Sequence, residues 1–274
     1  MIRLNTIKTR TDGAVLFAQI DSPPMNLIGP ELVGDLVSLI EVLDRGDQYR
    51  VVVFSSADPD FFIPHVDITK IAEYRQAAAS LTGEASLGLL LRRLSEIKAI
   101  TIAQISGRVR GAGNEFILAC DMRFASRERA IFGQFEAGFG LVPGGGGVQH
   151  LARLLGRGRA LEVILSAGDY SADIAERYGW INRALPEAEL STFVAALAGR
   201  IARFPMAGLM ANKERVNAIT LASPSDYRQD SDLFGKGAVE PEVQDRMKAL
   251  FKLGMQTRGN VELNFGKVLG ELET

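Results

Sequence analysis

Thiol and imidazole are scarce in this 274-residue chain, which has one cysteine, Cys120, and two histidines, His65 and His150. A single cysteine excludes an internal disulfide framework and fits a reducing compartment. It lies inside the run Phe116-Ile117-Leu118-Ala119-Cys120, where it reads as a buried, inert thiol. An excess of either charge is missing too: the net charge is −2, so no general basic field attracts nucleic acid or anionic lipid. An anionic ligand has to be met locally. No apolar stretch reaches the roughly 18 residues a membrane span needs, and Met1 to Lys8 has no long apolar core for export. These absences predict a cytoplasmic protein that binds neither membrane nor nucleic acid.

What is present is 47% hydrophobic residues, enough for one large core, or a core with an appendage, without covalent staples. Alternation over Ala14 to Ile20 predicts a strand, ended by Asp21-Ser22-Pro23-Pro24 because proline cannot donate to a ladder. From Pro30 the period changes, and Leu32, Val33, Leu36, Val37, Ile40 and Leu43 fall on one helical face. Val51 to Phe54 is a short apolar run, the pattern of a strand covered on both faces. The same pattern recurs at Ile100 to Ile105 and, more weakly, at Ala130 to Gln134. Between the first two copies, Ile68 to Ile97 predicts helices broken near Thr82-Gly83.

Strand, turn and helix thus recur about every forty to fifty residues, which predicts a wound α/β core. Beyond Pro186 the strand pattern stops. Leu190 to Phe204, Met206 to Leu221 and Val239 to Leu253 read as helices, separated by Pro205 and by Ser223-Pro224-Ser225. The expected organisation is an α/β core over residues 1–190 and a helical region over residues 191–274 for oligomerisation and pocket closing, with Met255 to Asn260 and Phe265 expected to close the pocket or reach a neighbouring subunit. One apolar stripe per tail helix suits docking on the core or on another subunit.

Two strand-to-helix turns carry the chemical signal: Phe62-Ile63-Pro64-His65-Val66-Asp67 and Gly111-Ala112-Gly113-Asn114-Glu115. Each offers a backbone N–H to a developing oxyanion. A helix beginning near Ala112 leaves its first N–H groups unpaired and places the positive end of its dipole at the turn. Gly111 and Gly113 remove side chains that would keep a thioester or similar carbonyl away. Glu115 stands just before Phe116-Ile117-Leu118, and Glu136 just before the otherwise uncharged Ala137-Gly138-Phe139-Gly140. Brought together in a desolvated cleft, two carboxylates split their proton affinities, so that one accepts a proton while the other donates. Spacing alone leaves open whether they meet.

The glycine run Gly144 to Gly147 is followed by no Lys-Ser or Lys-Thr, and GAGNEF does not complete a GxGxxG pattern, which disfavours ATP and NAD sites. Chemistry on a carbonyl compound is the better expectation.

Several segments resemble the enoyl-CoA hydratase/isomerase, or crotonase, superfamily. They are Pro24-Met25-Asn26-Leu27, the FFIPHVD turn, GAGNEFILACDMRFAS from Gly111 to Ser126, and FGQFEAGFGLVPGGGGVQHLARLLG from Phe132 to Gly156. The resemblance spans roughly residues 10 to 215, with a weaker continuation from Ala160-Leu161-Glu162. It implies a spiral of ββα units with a helical C-terminal region, assembled as a homotrimer or hexamer. It also implies an acyl-CoA thioester substrate with no cofactor beyond its own coenzyme A, and no metal.

Residue by residue, the resemblance puts the oxyanion donors at the backbone N–H groups of Val66 and Ala112, the catalytic pair at Glu115 and Glu136, and substrate contacts at His65, Gly111 and Gly113. Hydration of a 2-enoyl-CoA is the first expectation. The alternatives are an enoyl-CoA isomerase working through Glu136 and a noncatalytic acyl-CoA binding protein. The chain departs from the family pattern in the first turn, where Pro64, His65 and Val66 replace small residues and glycine ahead of Asp67. There His65 is expected to be structural or substrate-shaping, and Asp67 a turn or helix cap. Asp121, beside Cys120, is expected to organise strands and loops, and Gly144 stands where some isomerases and dehalogenases carry an aspartate.

Overall fold

The strands divide between two sheets. In chain order the elements are β1 (Ile7–Asp12), β2 (Val15–Ile20), α1 (Pro30–Arg45), β3 (Val51–Ser56), β4 (Phe61–Ile63), α2 (Ile71–Thr82) and α3 (Leu87–Glu96). Then follow β5 (Ile100–Ile105), β6 (Arg108–Arg110), α4 (Ala112–Ala119), β7 (Met122–Ser126), β8 (Ile131–Gly133), α5 (Glu136–Phe139), α6 (Gly147–Leu155) and α7 (Arg157–Ser166). Next come β9 (Tyr170–Ser171), α8 (Ala172–Tyr178), β10 (Arg183–Leu185), α9 (Glu187–Ile201) and α10 (Met206–Thr220). The chain closes with α11 (Pro224–Gly237), α12 (Pro241–Leu253), α13 (Asn260–Leu263) and α14 (Phe265–Gly270). This computed structural model describes residues 4–46 and 48–273.

The large sheet runs β1-β2-β3-β5-β7-β10 and the small one β4-β6-β8-β9. β3, β5 and β7 pair in parallel in the first, and the short strand after each, β4, β6 and β8, pairs in parallel in the second. Each turn of the spiral therefore contributes one strand to each sheet. The expected third copy at Ala130 to Gln134 belongs to the small sheet, as β8. Its large-sheet counterpart is Met122–Ser126, whose arginine and serine conceal its strand character.

Period-two alternation explains why β3 reads as uniformly apolar. Val52 and Phe54 face the main core with Leu36 and Ile40 of α1, while Val51 and Val53 face Leu190, Val194 and Ala198 of α9. The expected boundary at residue 190 thus falls inside α9, which covers the outer face of the sheet.

The sequence predicts α10 and α12, but α11 occupies a stretch expected to separate helices. Ser223 is its N-cap, forming a reciprocal capping box with Asp226, and Pro224 sits in its first turn, where the missing N–H costs nothing. The same residues that break one helix start another. None of the residues of α10 is fully buried, although Leu209 packs on the outer cluster and Lys213 reaches Asp121. No single helix among the described residues is long and apolar enough to cross a membrane.

α4 brings the two chemically interesting turns together. All eight of its residues are buried, and Gly113 in its first turn lies so close to β4 that a Cβ there would stand 2.0 Å from the Ile63 carbonyl oxygen. Gly113→Ala should therefore lower stability by about 1–3 kcal/mol or more through overpacking against backbone. Gly34→Ala, in α1 with nothing within 4 Å of the added carbon, should raise it by about 0.5–1 kcal/mol. Thermal denaturation of both variants checks the contrast; equal midpoints would contradict the close seating of α4.

Candidate active site

A single apolar cavity gathers the groups that the sequence singles out. His65, Val66, Ala112, Glu115 and Glu136 all line it. Gly111 abuts the Phe135 ring and the Glu136 carboxyl from behind, where an added Cβ would come within 3.0 and 3.1 Å. Gly113 is not among the residues lining the cavity; its bare face packs against Ile63.

The far wall comes from the C-terminal region. Phe135 and Phe139 form a second apolar cluster with Met247, Leu250, Met255 and Phe265, separate from the main core. Phe234 and Ser231 of α11 also face the cavity. The wall includes Met255 and Phe265 of the region expected to close the pocket; α11 and its two residues were not expected from the sequence.

Both proposed oxyanion turns end in unpaired donors. Ala112 is the first residue of α4, and its N–H has no acceptor among the described residues. Val66 bridges to Ile28: Ile28 N–H donates to the His65 carbonyl at 3.0 Å, and Asp67 N–H donates to the Ile28 carbonyl at 2.9 Å. That pairing leaves the Val66 N–H on the opposite side without an acceptor among the described residues. Asn26, from the Pro-Met-Asn-Leu segment, donates to the Phe62 carbonyl at 3.2 Å and to Ser56 Oγ at 2.8 Å, which fixes the approach to this turn. Asp67 caps the short 3-10 turn that follows by accepting from Thr69 N–H at 3.0 Å, and Asp121 accepts from Thr101 N–H and from Lys213, as expected of a cap and an organiser.

The two carboxyl groups are held in different ways. Glu115 Oε1 accepts from the N–H groups of Gly145 and Gly147, at 2.7 and 2.8 Å. A larger residue at Gly145 would displace the Glu115 carboxyl, because a Cβ would stand 2.4 Å from Glu115 Oε2. Glu136 Oε2 accepts from Gln134 Nε2 at 2.8 Å, Gln134 Oε1 accepts from Asn114 Nδ2 at 2.7 Å, and Asn114 Oδ1 accepts from Trp180 Nε1 at 2.8 Å. Indole N–H is a donor only, so the direction of this chain is fixed and a donor is aimed at Glu136. Asn114 of the GAGNE segment therefore supports both carboxylates: its backbone carries Glu115 and its side chain reaches Glu136 through Gln134.

Burial raises both carboxyl groups above the ordinary range, and for Glu115 the charge of Glu136 adds to it. The glycine N–H groups pull Glu115 back; Gln134 and the charge on His65 pull Glu136 back. Two acids in one dry cavity retain a proton at a pH where exposed glutamates have lost theirs.

One partner escaped sequence reading altogether. His65 Nε2 lies 3.1 Å from both carboxylate oxygens of Glu262, a fully buried residue of α13. Its only sequence signal is a lone acid inside Val261-Glu262-Leu263, far along the chain from His65. Cys120 is buried and its thiol is pushed up to about 12 by burial first and Asp121 second, matching the inert role expected for it.

A family model described as enoyl-CoA hydratase/isomerase matches residues 10–253. The chain is similar to the short-chain-enoyl-CoA hydratase of Clostridium acetobutylicum, with 26% identity over 253 residues that cover 92% of this chain and 96% of that one. A crystal structure of a candidate enoyl-CoA hydratase from Streptomyces avermitilis matches with a TM-score of 0.98 and 55% identity, covering 100% of this chain and 99% of the other. DspI of Pseudomonas aeruginosa matches with a TM-score of 0.73 and 25% identity, covering 92% and 96%.

The buried acids predict a pH-dependent cost to the fold. Below the ordinary glutamate pKa both folded and unfolded chains are protonated and there is no difference. Above it the unfolded chain ionises freely while the folded one resists, so stability is lost as pH rises towards the raised folded values. Glu115→Gln and Glu136→Gln, which keep an oxygen for the same donors, should each raise the thermal midpoint at pH 8 and leave it nearly unchanged at pH 4. A midpoint lowered at pH 8 would contradict this assignment.

Proposed function

Because the chain belongs to the enoyl-CoA hydratase/isomerase family, we propose that it adds water to a 2-enoyl-CoA to give a 3-hydroxyacyl-CoA. The observation that carries this reading is the pair of buried carboxyls, Glu115 and Glu136, on one cavity with the unpaired N–H groups of Val66 and Ala112. The thioester carbonyl accepts both N–H groups. As charge grows on its oxygen, these fixed dipoles stabilise the enolate without reorganising.

A water held between the carboxyls gives a proton to Glu115 while its oxygen adds to C3, and Glu136 delivers a proton to C2 of the enolate. The cycle needs one proton shared by the pair, and the raised affinities of both acids suit that requirement. Apolar walls from Phe135, Phe139 and Phe265 exclude bulk water and accept the acyl chain. The reading uses no cofactor beyond the coenzyme A of the substrate, and no step passes through a metal.

Assembly as a homotrimer or hexamer belongs to the same proposal. α10 has no fully buried residue, and its Val216 and Ile219 are 58% and 79% exposed, a surface suited to a neighbouring subunit.

Incubated with a short 2-enoyl-CoA, the wild type should form the 3-hydroxyacyl product, and Glu115→Gln and Glu136→Gln should each lower kcat by roughly 10²- to 10⁴-fold. Full hydratase activity in Glu115→Gln would remove the role given to Glu115. Double-bond movement in a 3-enoyl-CoA that needs only Glu136 would mark an isomerase, and acyl-CoA binding without turnover would mark a binding protein. In sedimentation at micromolar concentration the protein should run as a trimer or hexamer; a monomer contradicts the assembly.

A further inference from the structure

The His65–Glu262 pair is buried beside the site and has no step in the chemistry above. His65 Nδ1 lies 2.7 Å from the Val66 carbonyl oxygen, and Nε2 lies 3.1 Å from each oxygen of Glu262. A carbonyl oxygen has no proton to give, so Nδ1 must donate. An ionised carboxylate has none either, so Nε2 must donate as well.

Two further groups favour the ionised form of Glu262. Gln256 N–H donates to its Oε1 at 2.6 Å, and the Arg110 guanidinium donates to its backbone carbonyl at 2.7 Å. With both nitrogens protonated the ring is an imidazolium, and neither it nor the carboxylate is tolerable at this depth without the other.

The same pair anchors the turn that departs from the family pattern. Ile28 ties Val66 from one side through the His65 carbonyl and the Asp67 N–H. His65 Nδ1–H holds the Val66 carbonyl from the other, with Gln256 Nε2 at 3.4 Å as a second donor. What remains unpaired is the Val66 N–H. Pro64 and a β-branched Val66 narrow the backbone choices here, and the imidazolium selects among those left.

We propose that Glu262 keeps His65 as a buried imidazolium, which acts as a positioning residue in two ways: it fixes the Val66 carbonyl, and so the aim of the Val66 N–H, and it presents a positive charge to Glu136. The inference rests on the hydration reading for its kinetic consequences, but the charge state of the pair stands apart from it. The charged or titratable groups facing His65 are Glu262 on α13, Arg110 on β6 and Glu136 on α5; Asp169 neutralises Arg110 through contacts of 2.6 and 2.8 Å. Burial alone would lower the pKa of His65, and the charge and hydrogen bond of Glu262 outweigh it, leaving the pKa raised. Phe135 and Phe265, with ring centres 5.9 and 5.7 Å from the imidazole, keep water from screening the pair.

The presence of only two histidines makes the test direct. In wild-type protein labelled with nitrogen-15 in histidine, the two rings should give opposite spectra at neutral pH. His65 should show both nitrogens protonated. His150, whose pKa burial and nearby arginines lower and whose Nε2 meets the Tyr227 hydroxyl, should show one. A single protonated nitrogen on His65 overturns the proposal without any variant.

Glu262→Gln lets a neutral His65 keep its Nδ1–H on Val66 while Nε2 accepts from the new amide, so it removes charge and leaves the contacts. In the hydration direction the rate falls as Glu136 loses its proton. Without the positive charge Glu136 keeps that proton longer, so the alkaline limb of the kcat profile should move to higher pH. Removing the ring donor too, in the double variant H65F/E262Q, should lower kcat roughly 10- to 100-fold further, with KM changed less. A folded Glu262→Gln with an unmoved alkaline limb, or a folded double variant with the kcat of Glu262→Gln, overturns the corresponding role. A wild type that hydrates no enoyl-CoA contradicts the function proposed above, and the nitrogen spectrum then decides the state of the pair by itself.

Discussion

Two carboxyl groups in one dry cavity are the constraint around which the rest of this fold is arranged. Each ionised carboxylate taken from water costs several kcal/mol, and two of them repel. The fold does not remove that cost; it meters it. Glu115 receives two backbone N–H groups from the Gly145 and Gly147 turn, and Glu136 one amide donor whose direction is set from Trp180 through Asn114 and Gln134. The acids are left short of full compensation, so they stay raised, which suits the acid and base work proposed for them.

That arrangement needs walls, and the walls have separate origins. The spiral of β3/β4, β5/β6 and β7/β8 supplies the floor, the two turns and both acids. The tail supplies the apolar cover: α11, α12 and the segment through Phe265 form a second cluster on α5 that encloses the cavity without belonging to the main core. Arg258 ties the tail to the loop between β3 and β4 through Asp58 and Asp60, and Glu262 ties it to the turn of His65 and Val66. Core and tail therefore build one site between them.

The sequence made the local parts of this legible. GAGNE shows its turn because glycines and an isolated acid stand against an apolar helix, and Glu136 shows because nothing else nearby is charged. The wound α/β core and the C-terminal helices were legible in the residue pattern, and the spiral through the family resemblance. What could not be read is what distance along the chain conceals. Glu262 meets His65 from 197 residues away, and neither residue carries a spacing that announces the other. α11 was hidden for a different reason: Ser223-Pro224 is equally good punctuation for an end and for a beginning, and only the capping box with Asp226 decides. Gly113 shows a packing requirement, its close seating on Ile63, that sequence alone does not distinguish from a requirement set by a ligand. The substitution of Pro64-His65-Val66 in the first turn likewise gains its explanation from the tail.

The central claim is that this cavity adds water across a conjugated thioester by way of an enolate. The most direct measurement is turnover of a 2-enoyl-CoA in heavy-oxygen water and, separately, in deuterium oxide, with mass analysis of the product. The account predicts a 3-hydroxyacyl-CoA whose hydroxyl oxygen comes from solvent and whose C2 carries one solvent deuteron. A product of unchanged composition with its double bond moved, or no product from any enoyl-CoA, would contradict it.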